Sequence, residues 1–229
     1  PEMSRGLGDV YKRQGLDGGI MKFLSKVSDI CIISILWLIC CLPIVTIGAS
    51  TTAAYYTMVK VVKREIGTLH KEFFRSFRMN FKDSIVINLI YLFLMIILAF
   101  NIYMMYQQIG NPEDNFAFQM FFIYLALFIL VFIAAIYTYP MLSRFEMSKI
   151  RLIKLSVLAM FHNFPISLLL VAIFVLSFLV IVMLPFGVLF MPGVCLYIYS
   201  YFMERVIRKY MTEEMIEAWD AMAEKETDI

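Results

Sequence analysis

The chain has 229 residues, 62% hydrophobic and 17% charged, against roughly 45–50% and 25% in soluble domains. Its charge is confined to short stretches, which excludes a soluble enzyme, a collagen, a disordered tail and a disulfide scaffold. The pattern predicts an all-α helical bundle embedded in the lipid bilayer. A formal net charge of +2 gives no nucleic-acid signal, so the placement of basic residues carries the information.

Segment 1–14 (PEMSRGLGDVYKRQ) is polar and unlike everything downstream. It is expected to be a non-native leader, with a membrane domain over 15–212 following it. Ile30 to Val59 holds no charge over 30 residues, about 45 Å as one helix. Pro43 and Gly48 interrupt this run, which favours two spans, near 22–42 and 44–62. A cleaved secretory signal is the rival for the first, because Lys22 and Lys26 precede the run and Gly48-Ala49 could be cut. Four further spans and continued hydrophobicity weigh against it. The second span is crowded with Thr46, Gly48, Ser50, Thr51 and Thr52. Small residues let membrane helices approach closely, and a hydroxyl-lined polar path is the alternative.

His70 to Asp83 (HKEFFRSFRMNFKD) places Phe73, Phe74, Phe77 and Phe81 on one arc of a helix. Lys71, Arg75, Arg78 and Lys82 take the neighbouring arc. A short amphipathic helix in the headgroup layer is expected, phenylalanines dipped inward and cations toward anionic lipid. Its role is an elbow, a partner-docking surface or a headgroup site.

Further apolar runs predict spans near 84–106, 116–140, 160–184 and 187–204, with Pro185 and Gly187 turning between the last two. An acidic amphipathic tail, 213–229, ends the chain, with Met211, Met215, Trp219 and Met222 on one stripe. Docking onto the inner loops and free solvation are both open. With six spans, Lys22, Lys26, the seven basic residues from Lys60 to Lys82, Arg144 to Lys154, and Arg205 to Lys209 share one side; the other side holds only Glu113 and Asp114. Lys and Arg accumulate in cytoplasmic loops, so six spans with both termini inside are preferred over five, which would place Lys22 and Lys26 outside.

Cys31, Cys40, Cys41 and Cys195 sit in apolar runs without metal spacing. No enzyme motif, cofactor loop or metal set is present, and the spans hold almost no ionisable residue away from their ends. Asn80-Phe81-x-x-Ser84 returns as Asn163-Phe164-x-x-Ser167, and Ala53-Ala54-Tyr55-Tyr56-Thr57 resembles Ala134-Ala135-Ile136-Tyr137-Thr138, a faint parallel repeat.

Leu36-Trp37 and the run from Leu42-Pro43-Ile44 through Gly48-Ala49-Ser50 to Tyr55-Tyr56, with the Phe73 to Lys82 stretch, resemble the YesL family of bacterial membrane proteins over about residues 15–208. That family is of unknown function, and its members tend to lie beside carbohydrate-uptake and sensor-kinase systems. The resemblance implies a bacterial plasma-membrane location and a sugar-utilisation context, with no catalytic residues. The expectation is a non-enzymatic component accessory to a carbohydrate importer or its sensor kinase, in contact through Lys71 to Lys82. A small facilitator with a hydroxyl path is the alternative.

Overall fold

A computed structural model describes the backbone of residues 3–108 and 115–227 and side chains within 19–108 and 116–221. The predicted loop charges Glu113 and Asp114, and the side chains of 1–14 and Met222, lie outside the described residues. The architecture is all-helical, with no strand among the described residues. In chain order, α1 is Met3–Cys41, α2 Ile47–Thr57, α3 Leu69–Gln108, α4 Asn115–Leu142, α5 Lys149–His162, α6 Phe164–Met183, α7 Met191–Arg208 and α8 Glu213–Thr227.

Local chemistry sets the breaks. Pro43 has no N–H and disfavours the helical conformation at Leu42. The Thr46 hydroxyl lies 2.6 Å from the Cys40 carbonyl and 2.8 Å from that of Pro43, tying off the end of α1. After α2 the helix widens into a π turn, Met58–Lys63. Glu65 at φ 60° and Gly67 at φ 79° then reverse the chain, while the Ile66 N–H reaches back to the Lys60 carbonyl at 3.1 Å. Pro165, in the first turn of α6, separates α5 from α6 at Asn163.

Side-chain contacts fix the directions. Along α1 and α2, Lys26 meets Glu65, Trp37 meets Thr51 and Thr46 meets Cys40, an antiparallel register. Asn88 donates to the Ile44 and Val45 carbonyls while Glu72 pairs with Lys60, so α3 runs against α2. Tyr106 packs on Phe121 and Tyr91 bonds Thr138, so α4 runs against α3. Tyr137 bonds Ser167 and Phe132 packs on Phe174, which reverses α6 against α4. Tyr199 donates to the Ile136 carbonyl and Glu204 meets Arg144, so α7 lies parallel to α4. The described charged residues of α1 to α7 gather at one end of this bundle. At the other end, Gln108 and Leu184–Phe190 are uncharged, whereas the uncharged Leu42–Val45 turn sits beside Asn88, midway along α3.

At the centre lies α2, buried from Gly48 to Ser50 and from Thr52 to Tyr55, and continuing buried through the π turn to Val62. A Cβ at Gly48 would sit 2.9 Å from the Tyr139 ring and 3.0 Å from the Ser84 carbonyl, so glycine is what lets α2 and α3 touch at backbone distance. Protein, not lipid, surrounds this helix, which is why it tolerates so many hydroxyls.

Four helices are long and apolar enough to cross a membrane: Met21–Cys41, Leu69–Gln108, Phe116–Leu142 and Phe164–Met183. The other two predicted spans fall short of that test. The α2 helix has 11 residues before the π turn, and α7 carries Glu204, Arg205 and Arg208 near its end.

The separate interfacial helix expected over 70–83 is corrected. Leu69–Gln108 is one helix of 40 residues, about 60 Å long, because nothing between Phe81 and Ser84 stops it. In the second copy of the motif Pro165 stands where the first has Lys82, and there the helix breaks.

Candidate functional site

At the charged end, three side chains far apart in sequence meet. Tyr55 comes from α2, Arg144 from the turn closing α4, and Glu204 from the last turns of α7. The Tyr55 hydroxyl donates to Glu204 Oε1 at 2.7 Å, and Arg144 Nη2 donates to the same oxygen at 3.0 Å. The Arg144 side chain is 3% exposed and that of Glu204 17%. Removing two charges from water costs several kcal/mol per ion unless they pair and are hydrogen-bonded, so the shared oxygen is the contact that keeps this cluster closed.

Over it lies α8. The Trp219 ring stacks on the Arg144 guanidinium at 3.5 Å and meets Tyr56 edge-on at 6.0 Å. Arg64 Nη1 donates to the Trp219 carbonyl at 2.8 Å. Asp220 Oδ1 accepts from Arg64 at 2.8 Å and from Arg208 at 3.1 Å. Beneath this lid Arg144 Nε and Nη1 and Trp219 Nε1 are buried without acceptors. Each such orphan costs about 1–3 kcal/mol, against which the cation–π stack returns roughly 2 kcal/mol when desolvated.

The π turn aims its lysines differently. Lys60 is buried and pairs with Glu72 at 2.9 Å. Lys63 stands over the rings of Tyr197 and Tyr201 at 5.5 and 5.4 Å. Burial pushes the Lys63 ammonium down to about 8, against the opposing pull of Glu204. Glu65, exposed, is held below the usual carboxylate range by its bond to the Lys26 ammonium.

The predicted basic-aromatic set divides. Phe73 is fully buried in the core, Phe77 stacks on it at 6.4 Å, and Phe81 lies tilted against Phe77 at 5.4 Å. Phe73 and Phe77 therefore pack against protein, because the segment is the root of α3 and this part of its apolar arc faces the bundle. Phe74 stays exposed with Lys71, Arg75, Arg78 and Lys82. An open groove of about 580 Å³ is lined by His70, Lys71, Phe74, Arg75, Arg78 and Met79. A narrower cavity of about 120 Å³, lined by Tyr56, Arg75, Asn80, Ser143, Arg144 and Glu146, adjoins the Arg144 cluster.

The small-residue set is bonded mostly to backbone and to neighbouring side chains, apart from the buried Ser50 hydroxyl, which has no partner among the described residues. Thr51 donates to the Ile47 carbonyl at 2.7 Å and accepts from Trp37 Nε1 at 3.1 Å, and Thr52 donates to the Gly48 carbonyl at 2.9 Å. Thr46 is spent on the helix break, Gly48 on the α3 contact, and Ser50 is fully buried.

Sequence reading did not join Tyr55, Arg144, Glu204 and Trp219. The available signal was Glu204 as a lone acid among the basics that follow α6, since an acid at the end of a membrane helix needs a partner.

Residues 30–102 match a family described as "Protein of unknown function, DUF624". That stretch covers the apolar part of α1, all of α2 and most of α3, and leaves Arg144, Glu204 and α8 outside. No curated protein and no solved structure matches the chain.

Proposed function

We propose that this chain is a six-span protein of the bacterial plasma membrane, both ends cytoplasmic, that acts by contact and not by catalysis. It serves as an accessory to a carbohydrate importer or its sensor kinase. Two supports underlie the topology: six helical runs alternate in direction, and their basic residues lie away from the turns at Gln108 and Leu184–Phe190, as those of cytoplasmic ends do. The carbohydrate setting rests on the YesL resemblance alone.

The observation that carries the contact role is the groove on the root of α3. There Lys71, Arg75 and Arg78 stand exposed around Phe74 and Met79 on a helix long enough to project beyond the bilayer. Rigid presentation of cations beside apolar surface suits recognition of an acidic, partly apolar protein face. Pull-down from native membranes is expected to recover an importer or kinase subunit, and Arg75→Glu with Arg78→Glu to reduce recovery about tenfold, a loss of roughly 1.4 kcal/mol. Recovery insensitive to both reversals would move the contact elsewhere. The hydroxyl path has no comparable support, since the threonines of α2 are bonded within the protein.

A further inference from the structure

The geometry points to a docking seat for an acidic helix, built from Arg64, Arg144 and Arg208 beside Tyr56 and filled in cis by α8. A partner segment bearing an aromatic residue followed by an acid would take it over.

Three arginines from different elements converge there: Arg64 behind the π turn, Arg144 behind α4 and Arg208 at the end of α7. The acid they face from the bundle is Glu204, already shared with Tyr55. Without α8 the seat is strongly cationic, and Lys63 adds to it beside Tyr197 and Tyr201.

What α8 supplies is two adjacent residues. Trp219 covers the Arg144 guanidinium and Asp220 bridges Arg64 and Arg208. An acidic, amphipathic helix is thus read by one aromatic and one carboxylate, and any helix presenting the same pair offers equivalent bonds. The remaining acids of its first turns, Glu213, Glu214 and Glu217, are exposed and make no ion pair with the bundle.

The seat also releases its occupant readily. Arg208 and Asp220 are about half exposed, at 47% and 45%, so that pair exchanges with a competing carboxylate at little cost. The occupied state leaves Arg144 Nε and Nη1 and Trp219 Nε1 without acceptors, and a ligand carrying an additional acceptor satisfies them. The turn at Tyr210–Thr212 joins α7 to α8 and provides the hinge.

The test uses the full chain in lipid nanodiscs and a fluorescent peptide of residues 211–229 as probe. A tether this short gives α8 an effective concentration in the millimolar range, so the intact chain is expected to bind micromolar probe poorly. Releasing the tail with Trp219→Ala and Asp220→Lys is expected to tighten probe binding by about tenfold or more. A probe carrying the same two substitutions is expected not to bind, and Arg64→Glu with Arg208→Glu in the released chain to abolish the gain. Arg208→Gln, at a half-exposed position with little bearing on folding, gives the same readout at smaller amplitude, and size-exclusion profiles verify that each variant is folded. Equal binding by intact and released chains, no binding by either, or binding that survives loss of the arginines overturns the proposal. A disulfide formed between the paired substitutions Arg64→Cys and Asp220→Cys that joins two chains instead of closing within one also overturns it, making the occupant a second copy.

Discussion

Glu204 is the sole acidic residue between Glu146 and Glu213, and its position beneath Arg144 makes it the balancing charge for a nearly fully buried guanidinium. Glu204→Gln is expected to lower stability by about 3 kcal/mol or more, because it strands Arg144 in a dry site. The Arg144→Met/Glu204→Leu pair is expected to cost much less, since neither charge then needs a partner; unfolding midpoints in detergent measure both. Lys63 carries a pH signature. Its folded value near 8 lies below the ordinary 10.5, so between those values the unfolded chain binds more protons and stability rises with pH. The groups facing it are Glu204, Tyr197 and Tyr201. Comparing unfolding midpoints at pH 7.5 and 9.5, wild type is expected to gain on Lys63→Met as pH rises; parallel profiles would show that Lys63 is solvated in the folded protein.

Among the elements, α7 approaches α1 through glycine. The Gly193 N–H donates to Ser34 Oγ at 2.8 Å, and a Cβ at Gly193 would overlap Ser34 Oγ and the Ile30 carbonyl. Backbone cannot yield as a side-chain tip does, so Gly193→Ala is expected to cost about 1–3 kcal/mol, read as a fall in the unfolding midpoint. The helix breaks follow a similar logic of single residues. Pro43 could be read from the sequence as a stop, since proline removes a donor, whereas Pro165 lies inside the span expected over 160–184 and its break at Asn163 came only with the structure. The continuity of α3 through Lys82 and Asp83 could not, because amphipathic periodicity runs through a charged stretch and an apolar one alike and carries no mark of where lipid begins.

At the scale of the whole molecule, the alternating runs divide the loops into two sets. Thr68 and Glu146 lie at the charged end, and Gln108 and Val188 at the other. In a chain freed of Cys31, Cys40, Cys41 and Cys195, single cysteines at Gln108 and Val188 are expected to react with a membrane-impermeant maleimide on intact cells. Those at Thr68 and Glu146 are expected to react only after permeabilisation. Labelling at position 68 in intact cells would remove the second crossing and with it the shared cytoplasmic side.

Composition and charge spacing were sufficient for a helical membrane protein, for the places of its long apolar runs and for the gathering of lysine and arginine in a few segments, because each is a property of contiguous residues. Which helix lies at the centre, which face of the Phe73 to Phe81 arc meets protein and which acid neutralises Arg144 were decided only by tertiary structure. Those outcomes depend on surfaces brought together from stretches far apart in the chain, where a hydroxyl, a ring or a carboxylate takes its meaning from the group packed against it.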